Sequence, residues 1–265
     1  MKRTTSLVLI AFMALAVAQK KDQLVIRDDK KNPSIILQGD GGSYVPGESF
    51  ELNGNVSLTL VPQNLILTCS KAAGKIVGTT KKSDIDNVRL TGGVKITVDN
   101  KAFFVTVNGQ SADYDLQENS RLIKLKNNAS FNFKNKGEPA STLDAKSSNA
   151  DITLSKNDNI VKTASMTGGV TLNGVEVRKV DNGFKKIKFN VKAQSLLFTD
   201  KGPDEREVRL EKNIVVTRSA DEGDAEVTGA QVLVLTLNNN NEVIRSRFSS
   251  DGVGQVQTTL KKGGS

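Results

Sequence analysis

The sequence predicts an all-β protein, an elongated twisted stack of five or six repeats of about 40 residues each. Three observations carry that prediction. From about Phe50 onward, short runs alternate apolar and polar residues, as in FELNGNVSLTL, VRLTGGVKITV and QVLVLTL, which is the period-2 mark of half-buried strands. Clusters of Gly, Asn, Asp and Ser separate the runs, and no amphipathic helical pattern follows the first eighteen residues. One short motif, apolar, polar, two turn-formers, then a β-branched or small residue, recurs along the chain.

The elements follow in order. Lys2 and Arg3 precede an apolar run from Leu7 to Val17, and Ala16-Val17-Ala18 puts small residues where a signal peptidase reads. That order predicts a secretory signal peptide over residues 1–18. The run is too short to span a bilayer comfortably, and no cysteine follows it to carry a lipid anchor. Residues 19–49 are charged and rich in Pro and Gly, and read as an extended lead-in with short strands at QLVI and SIILQ. Residues 50–260 form the repeat domain, and 261–265 read as a disordered tail.

Two columns define the repeat. In the first, LNGNVSLTL starts at Leu52, LTGGVKITV at Leu90, LKNNASFNF at Leu125, MTGGVTLNG at Met166 and LEKNIVVTR at Leu210; a weaker copy, VGQVQTTL, begins at Val253. The steps are 38, 35, 41, 44 and 43 residues. Gly, Asn and Lys at the third and fourth places suit a tight turn or a bulge. In the second column, QNLIL starts at Gln63, QSADY at Gln110, SNADI at Ser148, QSLLF at Gln194 and QVLVL at Gln231. A unit of this size cannot bury its apolar face alone, so stacked copies share one continuous interior. The step length also fits a β-propeller blade, but no Trp-Asp pair and no fixed aromatic marks the copies.

Composition narrows the chemistry. The formal charge is +8, falling to +6 once Lys2 and Arg3 are removed, and the cations are scattered, FKKIKF being the densest basic spot. A basic balance suits anionic partners. Nucleic acid is not expected among them, because there is no Trp, only two Tyr, and the Phe residues sit in strand-like positions. With a single cysteine, Cys69, no internal disulfide framework exists; Cys69 alternates with Leu65 and Leu67 and reads as a small buried hydrophobe. No histidine is present, which removes the commonest general base and zinc ligand. No nucleophile elbow, phosphate loop, dinucleotide fingerprint or metal spacing occurs. The carboxylate runs PDEREVRLE and SADEGDAE read as solvated loops. An enzyme, a cofactor and a metal are therefore not expected.

The two columns resemble a known family. In GQSADYDLQENSRLIKLKNNASFNF, from Gly109 to Phe133, Ala112, Asp113 and Tyr114 match the family's first column, Ile123 the middle, and Leu125 to Phe131 the second; SNADITLSKNDNIVKTASMTGGVTL is the next best stretch. These are similar to the OstA-like repeats of LptA-type periplasmic lipopolysaccharide-transport proteins, with LptC and the N-terminal domain of LptD as relatives. The resemblance covers about Phe50 to Leu260. It implies a twisted β-jelly-roll open along one edge, a periplasmic location, and a groove that shields the acyl chains of lipopolysaccharide or a related glycolipid. It also implies work with inner- and outer-membrane components of the same pathway, and end-to-end self-association. The chain departs from the family in being longer than a single bridge protein needs, and in writing Asn-Asn-Ala and Lys-Asn-Ile where other copies have Gly-Gly-Val.

Alternation places the groove candidates on one face. They are Val56 and Leu58, Val94, Ile96 and Val98, Phe131 and Phe133, and Val170 and Leu172 from one column, with Ala112, Tyr114, Ile152, Phe198 and Leu235 from the other. The alternative expectation is a structural or adhesive β-solenoid whose core is closed and holds no lipid. An outer-membrane barrel is disfavoured, since aromatic girdles are missing and the chain ends LKKGGS.

Overall fold

The computed structural model describes residues 24–27, 31–250 and 257–262, apart from 47, 80–81, 100, 102, 138, 157–159, 181–182, 203–204, 221–222 and 239–242. The expected signal peptide, and residues 253–256 of the sixth motif copy, lie outside the described residues.

The chain is all-β. The strands are β1 (Leu24–Arg27), β2 (Ile35–Gly39), β3 (Gly41–Val45), β4 (Ser49–Leu60), β5 (Leu65–Thr79), β6 (Lys82–Asp99), β7 (Phe103–Leu116), β8 (Ser120–Asn135), β9 (Thr142–Ser155), β10 (Val161–Val180), β11 (Gly183–Gly202), β12 (Glu205–Ala220), β13 (Gly223–Leu237), β14 (Val243–Ser249) and β15 (Gln257–Lys262). A 3-10 turn, Val61–Gln63, lies between β4 and β5. Every pairing is antiparallel, and from β4 to β14 each strand pairs with its neighbours in the chain. β1 and β2 continue the path beyond β4, and the first and last strands do not meet, so the sheet is not closed. The lead-in holds a third strand, β3, beyond the two expected, and β15 runs to Lys262, into the expected tail.

The recurring motif does not reverse the chain. Its two turn-formers lie in the middle of long strands, and both residues of each pair have positive φ: Gly54 and Asn55, Gly92 and Gly93, Asn127 and Asn128, Gly168 and Gly169, Lys212 and Asn213. Each pair faces a single residue of the following strand. Asn53 pairs Lys71 and Val56 pairs Cys69, so Gly54 and Asn55 oppose Ser70. The same count sets the later pairs against Gln110, Ser148, Gln194 and Gln231. Two residues against one is a β-bulge, which bends the strand that carries it. Repeated at one level across the sheet, the bulges form a crease that divides it into two walls. The outermost strands break there instead: β2 and β3 pair successive halves of β4, and β14 and β15 pair successive halves of β13.

The single residues explain which pairs begin with glycine. Asp40, Ser70 and Ser148 have short side chains lying against Gly54, Gly92 and Gly168, where an added Cβ would come within 2.6, 2.6 and 2.5 Å of them. Where the preceding strand supplies a Gln, Gln110 or Gln194, the pair begins with Asn127 or Lys212 instead. The Asn-Asn and Lys-Asn copies are therefore not decayed glycine turns. They follow strands that place Gln110 and Gln194 at the corner.

Candidate apolar trough

The crease brings two sets of inward-facing side chains together. On the first wall, cross-strand pairing links Leu52, Ala72, Leu90, Ala112, Leu125, Ala150, Met166, Leu196, Leu210 and Leu233 in one row. On the second wall, Leu37, Leu58, Leu67, Ile96, Val107, Phe131, Ala145, Leu172, Val191 and Val216 form the matching row. A lone flat sheet would leave one such face wet. Here both rows belong to one hydrophobic cluster, which requires the walls to close on each other.

All fourteen sequence candidates fall on this inward face. Val56, Val94 and Val170 sit beside the crease on the second wall, Leu58, Ile96, Phe131 and Leu172 one step out, and Val98 and Phe133 one step further. On the first wall Ala112 lies in the inner row, and Tyr114, Ile152, Phe198 and Leu235 in the next. Phe133 stacks at 5.9 Å against Phe103.

Burial on the second wall is graded along the stack. Leu37, Leu58 and Leu67 are 0 % exposed and Ile96 is 2 %, whereas Val107 and Val191 are 7 %. Phe131, Leu172, Phe198, Val208, Val216 and Leu235 are only partly buried and pack against the cluster, as do Ile76, Val98 and Val105 nearer its start. The second wall's row is thus more open from β8 onward, while the first wall's inner row stays closed, with Leu125 0 % exposed and Leu210 and Leu233 1 %.

A polar group lies against the filled end. Tyr114 is fully buried and its Oη lies 3.4 Å from Asp84 Oδ1. Asp84 Oδ2 accepts a 2.8 Å hydrogen bond from Arg121, whose side chain is 1 % exposed and also donates to the Lys156 carbonyl. Burial, with the nearby Asp84 carboxylate, pushes the Tyr114 phenol well above its ordinary range, so it stays neutral. Cys69 lies in the core with its Sγ donating to the Lys71 carbonyl, and burial pushes its thiol up; a raised pKa removes the thiolate that nucleophilic chemistry needs. Among the described residues, no group of three or more His, Cys, Asp or Glu is placed to hold a metal ion.

Sequence reasoning missed Arg121 and Asp84. Arg121 shares parity with Ile123 and Leu125, so an inward charge was detectable in RLIKL; its partner is 37 residues away and had no such mark. The second column fails in its first copy alone, since the residue matching Gln110 and Ser148 at the crease is Ser70, while Gln63 lies in the 3-10 turn.

A separate cleft of about 520 Å³ lies on the outside of the second wall, lined by Asp144, Asn173, Asn190, Thr217 and Glu226 among others. Asn190 donates to Asn173 there, and Val175, Phe189 and Ala225 add apolar lining. No family model, curated protein or solved structure matches the chain.

Proposed function

We propose that the protein is an LptA-type carrier, exported to the periplasm, that shields the acyl chains of lipopolysaccharide or a related glycolipid between its two walls and hands them from inner- to outer-membrane components. In this reading the creased sheet is the family's twisted β-jelly-roll, built from five or six repeats. The observation that carries it is the pair of continuous apolar rows, of which the second opens at Phe131, Leu172 and Val216. An acyl chain laid along such rows gains roughly 25 cal/mol for each Å² of apolar surface removed from water. Among the described residues β1 and β14 each pair on one side only, and an unpaired strand edge can accept another copy end to end.

A photo-crosslinker at Leu172 or Phe198 is expected to label a bound glycolipid, and one at the outward-facing Lys95 is not. Native mass spectrometry of protein taken from its own envelope is expected to show the lipid as added mass. Equal labelling at the three positions, or none, defeats the reading. The completely buried residues from β2 to β6 favour a second reading for that half, a closed structural core without ligand; labelling at Leu58 decides it.

A further inference from the structure

The geometry points to the β10–β11 hairpin as a docking tip for an anionic bilayer surface. These are the two longest strands, 20 residues each, and they outrun their neighbours. β9 pairs β10 only as far as Val175, with one more tie from the Val177 N–H to Ser141 Oγ. β12 pairs β11 only from Ile187. Gly183 therefore lies four residues past the last β12 partner, roughly 13 Å at strand rise.

The projecting tip is apolar and cationic together. Val180 is 46 % exposed and Phe184 54 %, facing water at the end of a two-stranded ribbon. From Glu176 to Lys188 the chain has five cations, Arg178, Lys179, Lys185, Lys186 and Lys188, against two carboxylates, a net of +3. One of those carboxylates, Glu176, is already engaged by Arg178, Nη2 to Oε2 at 3.1 Å. Phe184 faces Lys179 across the ribbon, and Lys186 faces Val177, so the cations ring the apolar end.

That arrangement matches the interface of an anionic bilayer, where an aromatic ring enters the headgroup zone and each nearby cation adds electrostatic attraction. A nucleic-acid track would need further aromatic or planar stacking groups, and Phe184 is the tip's one ring. The adjacent β12–β13 hairpin stops level with Ile187 and writes Ala-Asp-Glu-Gly at its end, which an anionic surface repels. The tip does not depend on the trough carrying lipid: it would serve a closed-core protein equally.

The chain has no tryptophan, so Phe184→Trp gives a single fluorescent reporter in the full-length protein. Its emission is expected to shift to the blue with vesicles of one part phosphatidylglycerol to two parts phosphatidylcholine, and not with phosphatidylcholine alone. Lys179→Gln/Lys186→Gln is expected to weaken flotation with the anionic vesicles roughly thirty-fold, with an unchanged circular-dichroism spectrum. An unshifted Phe184→Trp emission on anionic vesicles, or equal binding by the double variant, overturns the proposal and leaves the tip to a protein partner. Phe131→Trp separates the two lipid claims. A shift at 131 without one at 184 overturns the docking tip while sparing the trough. A shift at 184 without one at 131 supports the tip and counts against the trough.

Discussion

Ser70 Oγ donates a 2.7 Å hydrogen bond to the carbonyl oxygen of Gly92. Ser148 does the same to Gly168 at 2.7 Å. The hydroxyl thereby satisfies a carbonyl that the bulge takes out of the ladder, and it fills the space a Cβ on the glycine would need. Gly93 has φ +80 like its neighbour, yet nothing lies within 4 Å of where its Cβ would be.

The two glycines should therefore differ. Gly93→Ala is expected to cost about 1–2 kcal/mol, the left-handed penalty alone. Gly92→Ala carries that penalty and a 2.6 Å clash with Ser70 Cβ, so it should cost about 1–2 kcal/mol more. Ser70→Gly should recover part of the Gly92→Ala loss, while Ser70→Ala, which keeps the Cβ, should not. Urea melts of the four variants measure this, and equal losses at 92 and 93 would refute it.

Arg121 and Asp84 form an ion pair in which the arginine side chain is 1 % exposed and the aspartate 12 %. Removing one partner of such a pair leaves a buried charge without its counter-ion, at about 3–5 kcal/mol. Arg121→Met is expected to lose that much, and Arg121→Met/Asp84→Leu much less. If the double variant is as unstable as the single, the pair holds the fold through packing and not through charge.

The Lys162 ammonium, 2.9 Å from Asp200 Oδ2, holds that carboxyl below the usual aspartate range. A lowered folded pKa means a contribution that is complete above the unfolded value, about 3.9, and is lost as pH falls through the folded one. Lys162 is 48 % exposed, so solvent screening limits the effect to about 0.5–1 kcal/mol. Asp200→Asn should be less stable than the natural protein near neutrality, with the gap closing below about pH 3.9. A gap that stays constant down to acid unfolding would exclude the ion pair as its source.

The burial gradient predicts unequal truncation costs. Leu58 is 0 % exposed, and Leu58→Ala is expected to cost about 2–5 kcal/mol. Leu172 occupies the same row but is only partly buried, so Leu172→Ala should cost about 1 kcal/mol. Equal losses would mean that the second wall is packed as tightly beyond β8 as before it.

Much of this architecture was legible in the chain, because a strand writes its face in alternate letters. Ile96, Phe131 and Leu172 were placed inward by parity alone, and they share one row. The motif's two turn-formers were also located correctly, down to Lys212 and Asn213 with φ +60 and +53. Their role was not legible, since a Gly-Gly pair permits positive φ in a hairpin and in a mid-strand bulge alike; only the register past Val94 shows that β6 continues. The Ser70 corner was hidden because TCSKA lacks the Gln that marks three of the other four copies. Asp84 lies at the irregular end of β6, beside Asn87 with φ +49, where alternation no longer reports the facing.

The stepwise pairing of chain neighbours also makes the molecule a ruler. Each added strand extends the sheet by about 4.8 Å, so a hairpin inserted between two existing ones lengthens the interior by about 10 Å without changing any other pairing. The thirteen-strand path then spans roughly 58 Å before twist is counted. A lineage could match the protein to a wider or narrower gap by copying or deleting one crease unit, with β2/β3 and β14/β15 left as the end pieces.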